Sequence, residues 1–289
     1  MANIRDLRQS IHSVGNIQKI TRAMEMVAST KLRRFQDRAL QARPYSDRLE
    51  AMVRSLAAEV AANPEGAGEA GRLYLPGATD APRAVLFVGS DRGLCGAYNS
   101  NAAKELDAHL RNVGGDFTLY VIGRKAMAHA ARMGYPVAAY FEELVLEKMD
   151  FAGAAAVTKV LTDDFLAGKT RSVAICSTRF RSLVRYEPAL HAFLPIVPLE
   201  GGVAPSSLLL EPTRTAVLGR LIPRYLETRI FHLLLEALAS EFASRRFAMK
   251  NATEAAGDMK RDLTRSYNRA RQAKITSEIT EIVSGAEAL

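Results

Sequence analysis

The chain has 289 residues, room for one large domain or two of ordinary size. Hydrophobic residues make up 48% and charged residues 24%, as in a folded globular protein, and no run of 18 apolar residues exists to span a bilayer. The net charge of +8 gathers at the ends: residues 1–60 balance to +5, 61–212 to −1 and 213–289 to +4, which suggests that the ends form one object and meet an acidic partner.

Met1 to Arg22 carries charges throughout and no apolar block before a small-residue cleavage site, so no secretory signal is expected. It is basic, as a transit sequence is, but its apolar spacing continues into the helix that follows. Cys95 and Cys176 lie far apart with no CxxC, which predicts reduced thiols in a cytoplasmic compartment.

The first helix is predicted from Asn3, an N-cap residue, with Asp6 in its first turn. Its apolar row reads Ile4, Leu7, Ile11, Val14, then Ile17, Ile20, Met24 and Val27. One three-residue step after Val14 breaks the heptads, a stammer that overwinds a coiled coil without ending it. Pro44 is expected to kink or break the helix, after which Leu49, Met52, Val53, Leu56 and Val60 resume the pattern until Asn63-Pro64 stops it.

Residues 63–82 are rich in Gly, Pro and Ala and read as a linker. Beyond it the period changes. Strands are predicted at 84–88, 117–122, 136–141, 173–177 and 190–197, and helices at 99–113, 124–133 and 154–166, with Gly134 and Gly168 closing the last two. That alternation means βαβ units and a mostly parallel sheet, a Rossmann-like open α/β domain. Residues 201–212 read as a second linker, and Pro212-Thr213 suits a helix start.

From Arg224 to Ser284 there is no proline and one glycine, Gly257. Leu235, Leu238, Phe242, Met249, Ala252, Ala256, Met259 and Leu263 form one narrow stripe, a coiled-coil seam. A helix of that length is a rod of roughly 90 Å, too long to bury its stripe inside an ordinary domain. The first helix is the matching partner, and an antiparallel pair buries both seams. Two separate amphipathic helices laid on the middle domain are less favoured, because the middle offers too little sheet to cover both. Ile275, Ile279, Ile282, Ala286 and Leu289 carry an apolar row to the last residue, which implies an apolar socket on another protein.

The most enzyme-like stretch is Val88 to Asn101, VGSDRGLCGAYNSN, a strand-to-helix turn of the kind that holds phosphate. It matches neither GxGxxG nor GxxxxGK[ST], no histidine lies near Cys95, and the five histidines show no metal spacing. A structural turn is favoured over a catalytic one, and an α/β nucleotide-binding enzyme with helical extensions stays as the rival reading. Lys31–Arg38 and Lys260–Lys274 are basic, so a coiled-coil scaffold for nucleic acid is the third. Charge spread along one helix surface with few aromatics favours a protein partner instead.

Ile4-Arg5-Asp6-Leu7-Arg8, NIQKITRAMEMVASTK at 16–31, SDRGLCGAYN at 90–99, AMKNAT at 248–253 and YNRARQAKITSEITEIVSG at 267–285 stand in order along the chain. In these stretches the sequence resembles the gamma subunits of F-type ATP synthases, of the bacterial type. The resemblance implies an antiparallel coiled coil of the N- and C-terminal helices (1–62 and 213–289) with an inserted α/β foot domain (83–200). It implies a rotor shaft with no catalytic, cofactor-binding or metal residue of its own. Its expected partners are the alpha and beta subunits of the catalytic head, the epsilon subunit and the ring of c subunits, with no nucleic acid and no membrane span. The expected location is peripheral, on the cytoplasmic face of the bacterial inner membrane. By resemblance, Arg271, Gln272 and Thr276 meet catch loops of beta, with Met24 opposite them on the first helix. Ile275, Ile279, Ile282 and Leu289 form a bearing tip. Plant-chloroplast relatives carry an insert with a redox-sensitive cysteine pair; neither is found here, so light-linked thiol control is not expected.

Overall fold

The computed structural model describes residues 4–62, 65–197 and 213–287. Helix α1 is Ile4–Ala62 and the last helix, α5, is Arg214–Glu287. Between them lie β1 (Arg83–Val88), α2 (Tyr98–Val113), β2 (Phe117–Ile122), α3 (Arg124–Met133), β3 (Val137–Tyr140), α4 (Phe151–Leu166), β4 (Ser172–Phe180) and β5 (Tyr186–Leu194). The fold is the expected one, a mixed five-stranded sheet with helices between two long terminal helices. The chain divides into two compact units, residues 1–29 with 245–289 and residues 30–244.

Local chemistry accounts for most boundaries. Thr213 opens α5: its hydroxyl accepts from Ala216 N at 3.2 Å, an N-cap bond. Asp150 caps α4 through Gly153 N at 2.9 Å. Gly134, left-handed at φ 69°, closes α3 as expected of a C′ glycine. The prolines do not end their helices: α1 continues through Pro44 and α5 through Pro223. A single missing N–H costs one helical bond, and Pro44 lies on the exposed face. Within the expected 63–82 linker, Glu65–Tyr74 forms 3₁₀ turns with Leu73 and Tyr74 buried, Tyr74 Oη donating to Val53 O at 3.3 Å. The expected 201–212 linker lies outside the described residues.

In the larger unit the strand order is β3-β2-β1-β4-β5. Pairs β1–β2, β1–β4 and β2–β3 are parallel, with Leu86 between Tyr120 and Ile175. β5 is antiparallel to β4 because a short turn joins them, with Ser182 N and Arg181 N both donating to Arg185 O. One face of the sheet packs Val85, Phe87, Leu119, Val121 and Cys176 against Ala102 and Leu106 of α2 and Ala126 and Ala130 of α3. From the other face Tyr120 Oη donates to Asp164 of α4 at 2.7 Å. Within this unit α1 and α5 carry an apolar seam of Leu32, Phe35, Ala39, Leu49, Val53, Leu56 and Val60 with Leu218, Ile222, Leu226, Leu235, Leu238 and Phe242, all buried. Phe35 stacks on Phe242 with ring centroids 5.5 Å apart. Each of the larger side chains contributes about 1.5–3 kcal/mol on burial.

The smaller unit is a two-helix antiparallel pair. Thr253 Oγ1 donates to Thr21 Oγ1 at 2.8 Å, and a Cβ at Gly257 would meet Gln18 Nε2 at 2.8 Å. Gly15 lies 3.9 Å from the Lys260 side chain by the same measure. Partners therefore descend on α5 as they rise on α1. The row facing inward is Val14, Gln18, Thr21, Glu25 and Ala28, partly or fully buried. That corrects the expected stammer. The heptads run on without a break, and polar residues occupy the seam.

Candidate functional site

The inward turn of that polar row decides which side chains this unit offers to a partner. Ile17, Ile20, Met24 and Val27 all face outward, 53%, 55%, 41% and 56% exposed. Sequence reasoning placed them in the seam because they are apolar, and so it missed Ile17, Ile20 and Val27 as surface residues. A strict 3,4 continuation from Ile4, Leu7, Ile11 and Val14 offers the other row, Gln18, Thr21, Glu25 and Ala28, but the polarity of that row argued against it. Met259, also expected in the seam, is 56% exposed.

Arg271, Gln272 and Thr276 stand exposed on α5. Thr276 Oγ1 donates to Gln272 O at 3.0 Å, which spends its proton and leaves its lone pairs outward. From Arg271 to Ser284 every residue is exposed. Ile275, Ile279 and Ile282 retain 47%, 56% and 71% of their surface on one side of that helix. Leu289 lies outside the described residues. The structure brings Arg271, Gln272, Thr276 and the isoleucines together but not Met24. Extending the 18/257 and 21/253 pairs sets Met24 across from residue 250, about 30 Å down the helix from Arg271 at 1.5 Å per residue. The expectation that Met24 sits opposite them is therefore corrected. Charged pairs Lys250–Glu254, Arg261–Asp258, Arg265–Asp262 and Lys274–Glu278 dress the flanks, all exposed and individually worth about 0–1 kcal/mol.

The Ser90–Asn99 turn is wired to itself. Asn99 Oδ1 accepts from Ser90 N at 3.0 Å, and its Nδ2 donates to Ser90 Oγ at 2.7 Å and Cys95 Sγ at 3.1 Å. Ser90 Oγ donates to Arg92 O at 2.8 Å. Below it, a Cβ at Gly123 (φ 94°) would stand 2.2 Å from Gly89 O, so only glycine permits that approach. These polar groups hold one another, which leaves little to cradle a phosphate. Burial pushes the Cys176 thiol up to about 12, a protonated and unreactive sulfur. His129 is held by Asp107 at 2.9 Å and by Arg132 at 2.9 Å, a satisfied structural histidine. Among the described residues no group of three His, Cys, Asp or Glu side chains can hold a metal ion. A cleft of about 410 Å³ opens between Leu73, Thr158, Leu166 and Leu226, and one of about 380 Å³ between Arg92, Arg124, Glu147 and Glu241. The residues that line them include no cysteine and no histidine.

The family model described as ATP synthase matches residues 3–289. The chain is 36% identical to the ATP synthase gamma chain of Dehalococcoides mccartyi and 38% identical to that of Erythrobacter litoralis, each over the whole of both chains. It is 38% identical to that of Chlorobaculum tepidum over 100% of this chain and 99% of the relative. Among solved structures, a chain of the Euglena gracilis mitochondrial ATP synthase OSCP/F1/c-ring assembly superposes with a TM-score of 0.65 at 16% identity, over 99% of this chain and 94% of that one. A chain of the Tetrahymena thermophila mitochondrial ATP synthase central stalk/c-ring gives 0.58 at 23%, over 81% and 99%.

Proposed function

The chain belongs to the ATP synthase gamma-chain family, and from that premise we propose that it is the rotating central shaft of such an enzyme. It is a stalk subunit that takes no part in the bond chemistry itself. The observation that carries this reading is the surface of the helix pair: an apolar row turned outward on α1, and a run of α5 exposed on every side from Arg271. Isolated helices do not keep such surfaces bare without a partner that covers them.

The partners are the alpha and beta subunits around the helix pair, and the epsilon subunit and c-ring at the α/β domain. No helix among the described residues is long and apolar enough to cross a membrane. The proposed location in a bacterium is the cytoplasmic face of the inner membrane, as part of that complex. The mechanism follows from asymmetry. The two helices present different side chains around their circumference, so each beta subunit meets a different face and is biased toward a different conformation. Nucleotide affinity then differs from site to site, and turning the shaft permutes the three affinities. Ion flow that drives the turn yields ATP synthesis, and ATP hydrolysis, which turns the shaft the other way, yields ion pumping.

Directional contacts of modest strength suit a rotating part, since a locked orientation would stall it. Arg271, Gln272 and Thr276 provide such contacts to beta, and Ile275, Ile279 and Ile282 provide an apolar bearing whose attraction has no preferred angle. The test is R271A/Q272A in the reassembled complex. ATP-driven pumping should fall or assembly weaken while the isolated subunit melts as the wild type does; unchanged pumping would remove these two residues from the contact.

A further inference from the structure

The shaft reading leaves the self-wired turn at 90–99 without a role. Cys95 stands between two left-handed residues, Leu94 at φ 59° and Gly96 at φ 56°. A non-glycine residue at positive φ is strained, and here the strain shapes the stretch that presents the Cys95 carbonyl. That carbonyl accepts a hydrogen bond from Ser244 Oγ of α5 at 2.6 Å. One helical turn earlier, Ser240 Oγ reaches Thr178 O of β4 at 3.2 Å while also bonding Glu236 O at 2.8 Å. Both serines are buried, 0% and 2% exposed, and their i,i+4 spacing sets them on one face of α5. Serine is a poorer helix former than alanine, so two buried serines mid-helix need a tertiary reason. Here that reason is the pair of bonds that leave the helix for the sheet.

We propose that the 90–99 turn is the seat through which the α/β domain grips α5 and passes torque to it. This rests on the shaft reading. Ser244 is the latch, Ser240 a second tie, and Asn99 the positioning residue that keeps the turn in shape. Apolar packing between sheet and helix resists separation but is indifferent to small slides and rotations. Hydrogen bonds with preferred lengths and angles resist both. The seat therefore supplies torsional stiffness to a joint that packing alone leaves compliant.

The experiment uses the whole complex with the S240A/S244A double variant, S244T and N99D. It measures ATP hydrolysis, ions pumped per ATP in membrane vesicles, and angular fluctuation of a probe on the c-ring with the head arrested. For S240A/S244A we expect hydrolysis near the wild-type rate, pumping per ATP reduced at least twofold, and a broader angular distribution. S244T keeps the hydroxyl and should restore both. N99D keeps the acceptor, loses both donors and should resemble the double variant. Wild-type stiffness and coupling in S240A/S244A would overturn the seat and leave the shaft reading standing. An early-melting double variant that S244T does not improve would mark a packing defect and also overturn it. A wild-type chain that supports no pumping at all would overturn the shaft reading beneath it.

Discussion

Replacing Ile275, Ile279 and Ile282 together by serine separates the stability of this chain from the stability of its assembly. Within the chain these side chains are 47%, 56% and 71% exposed, so roughly half or more of the surface of each is left for a partner to cover. Isoleucine and serine have similar helix propensities, so α5 should not weaken. The isolated subunit should melt within about 5 °C of wild type, since each exposed substitution usually falls within about 0.5 kcal/mol. In the assembly the balance changes. Fully covering a side chain of this size is worth about 1.5–3 kcal/mol, and scaling by the exposure that remains gives about 3–5 kcal/mol for the three. That is two to three and a half orders of magnitude in retention of the subunit by the head at about 1.4 kcal/mol per tenfold. The assay is dissociation of labelled subunit from immobilised alpha–beta head, with the isolated chain followed by circular dichroism. A loss of less than tenfold in retention, with the isolated chain unaffected, would refute the apolar socket.

Two further outcomes test the fold that positions these surfaces. In G123A the new Cβ would stand 2.2 Å from Gly89 O at a backbone angle that favours glycine. Conformational strain and overpacking together should cost about 2–5 kcal/mol, lowering the melting temperature by about 5–15 °C; a shift under 2 °C would show that the turn can rearrange. His191 is held down at about 4 by burial first, then by Arg179 and Arg229, with Arg181 adding and Glu236 opposing. Its folded value lies below the free value of 6.5, so the unfolded chain binds the extra proton. Stability from this group is complete above pH 6.5 and is lost as the pH falls toward 4. The loss is at most about 3 kcal/mol, and less where water reaches the ring. H191Q should flatten the dependence of urea unfolding on pH between 6.5 and 4, and an unaltered slope would assign that dependence to other groups.

Much of this architecture was legible from residues alone. Alternating apolar runs and helical periods located every strand and helix of the α/β domain to within a few residues, because each element's face is written locally in period two or period 3.6. Proline-free length and a narrow stripe announced paired terminal helices. The beginning of β5 was missed because Pro188 interrupts its run, yet the proline is carried within the strand, paired with Thr178. Position 271 and its neighbours were proposed from motif resemblance alone, and among the described residues nothing covers them.

What the sequence could not decide was the facing of α1 between Val14 and Ala28. Two apolar-or-polar rows run side by side there, and apolarity alone favours Ile17, Ile20, Met24 and Val27 for the inside. The inward row is instead the one that fits α5: Gln18 over Gly257 and Thr21 bonded to Thr253. Those matches join residues more than 200 positions apart, so no local period contains them. Tertiary register alone turned the oily row outward, because a helix's inner face is chosen by the shape of the helix beside it as much as by its own hydrophobicity.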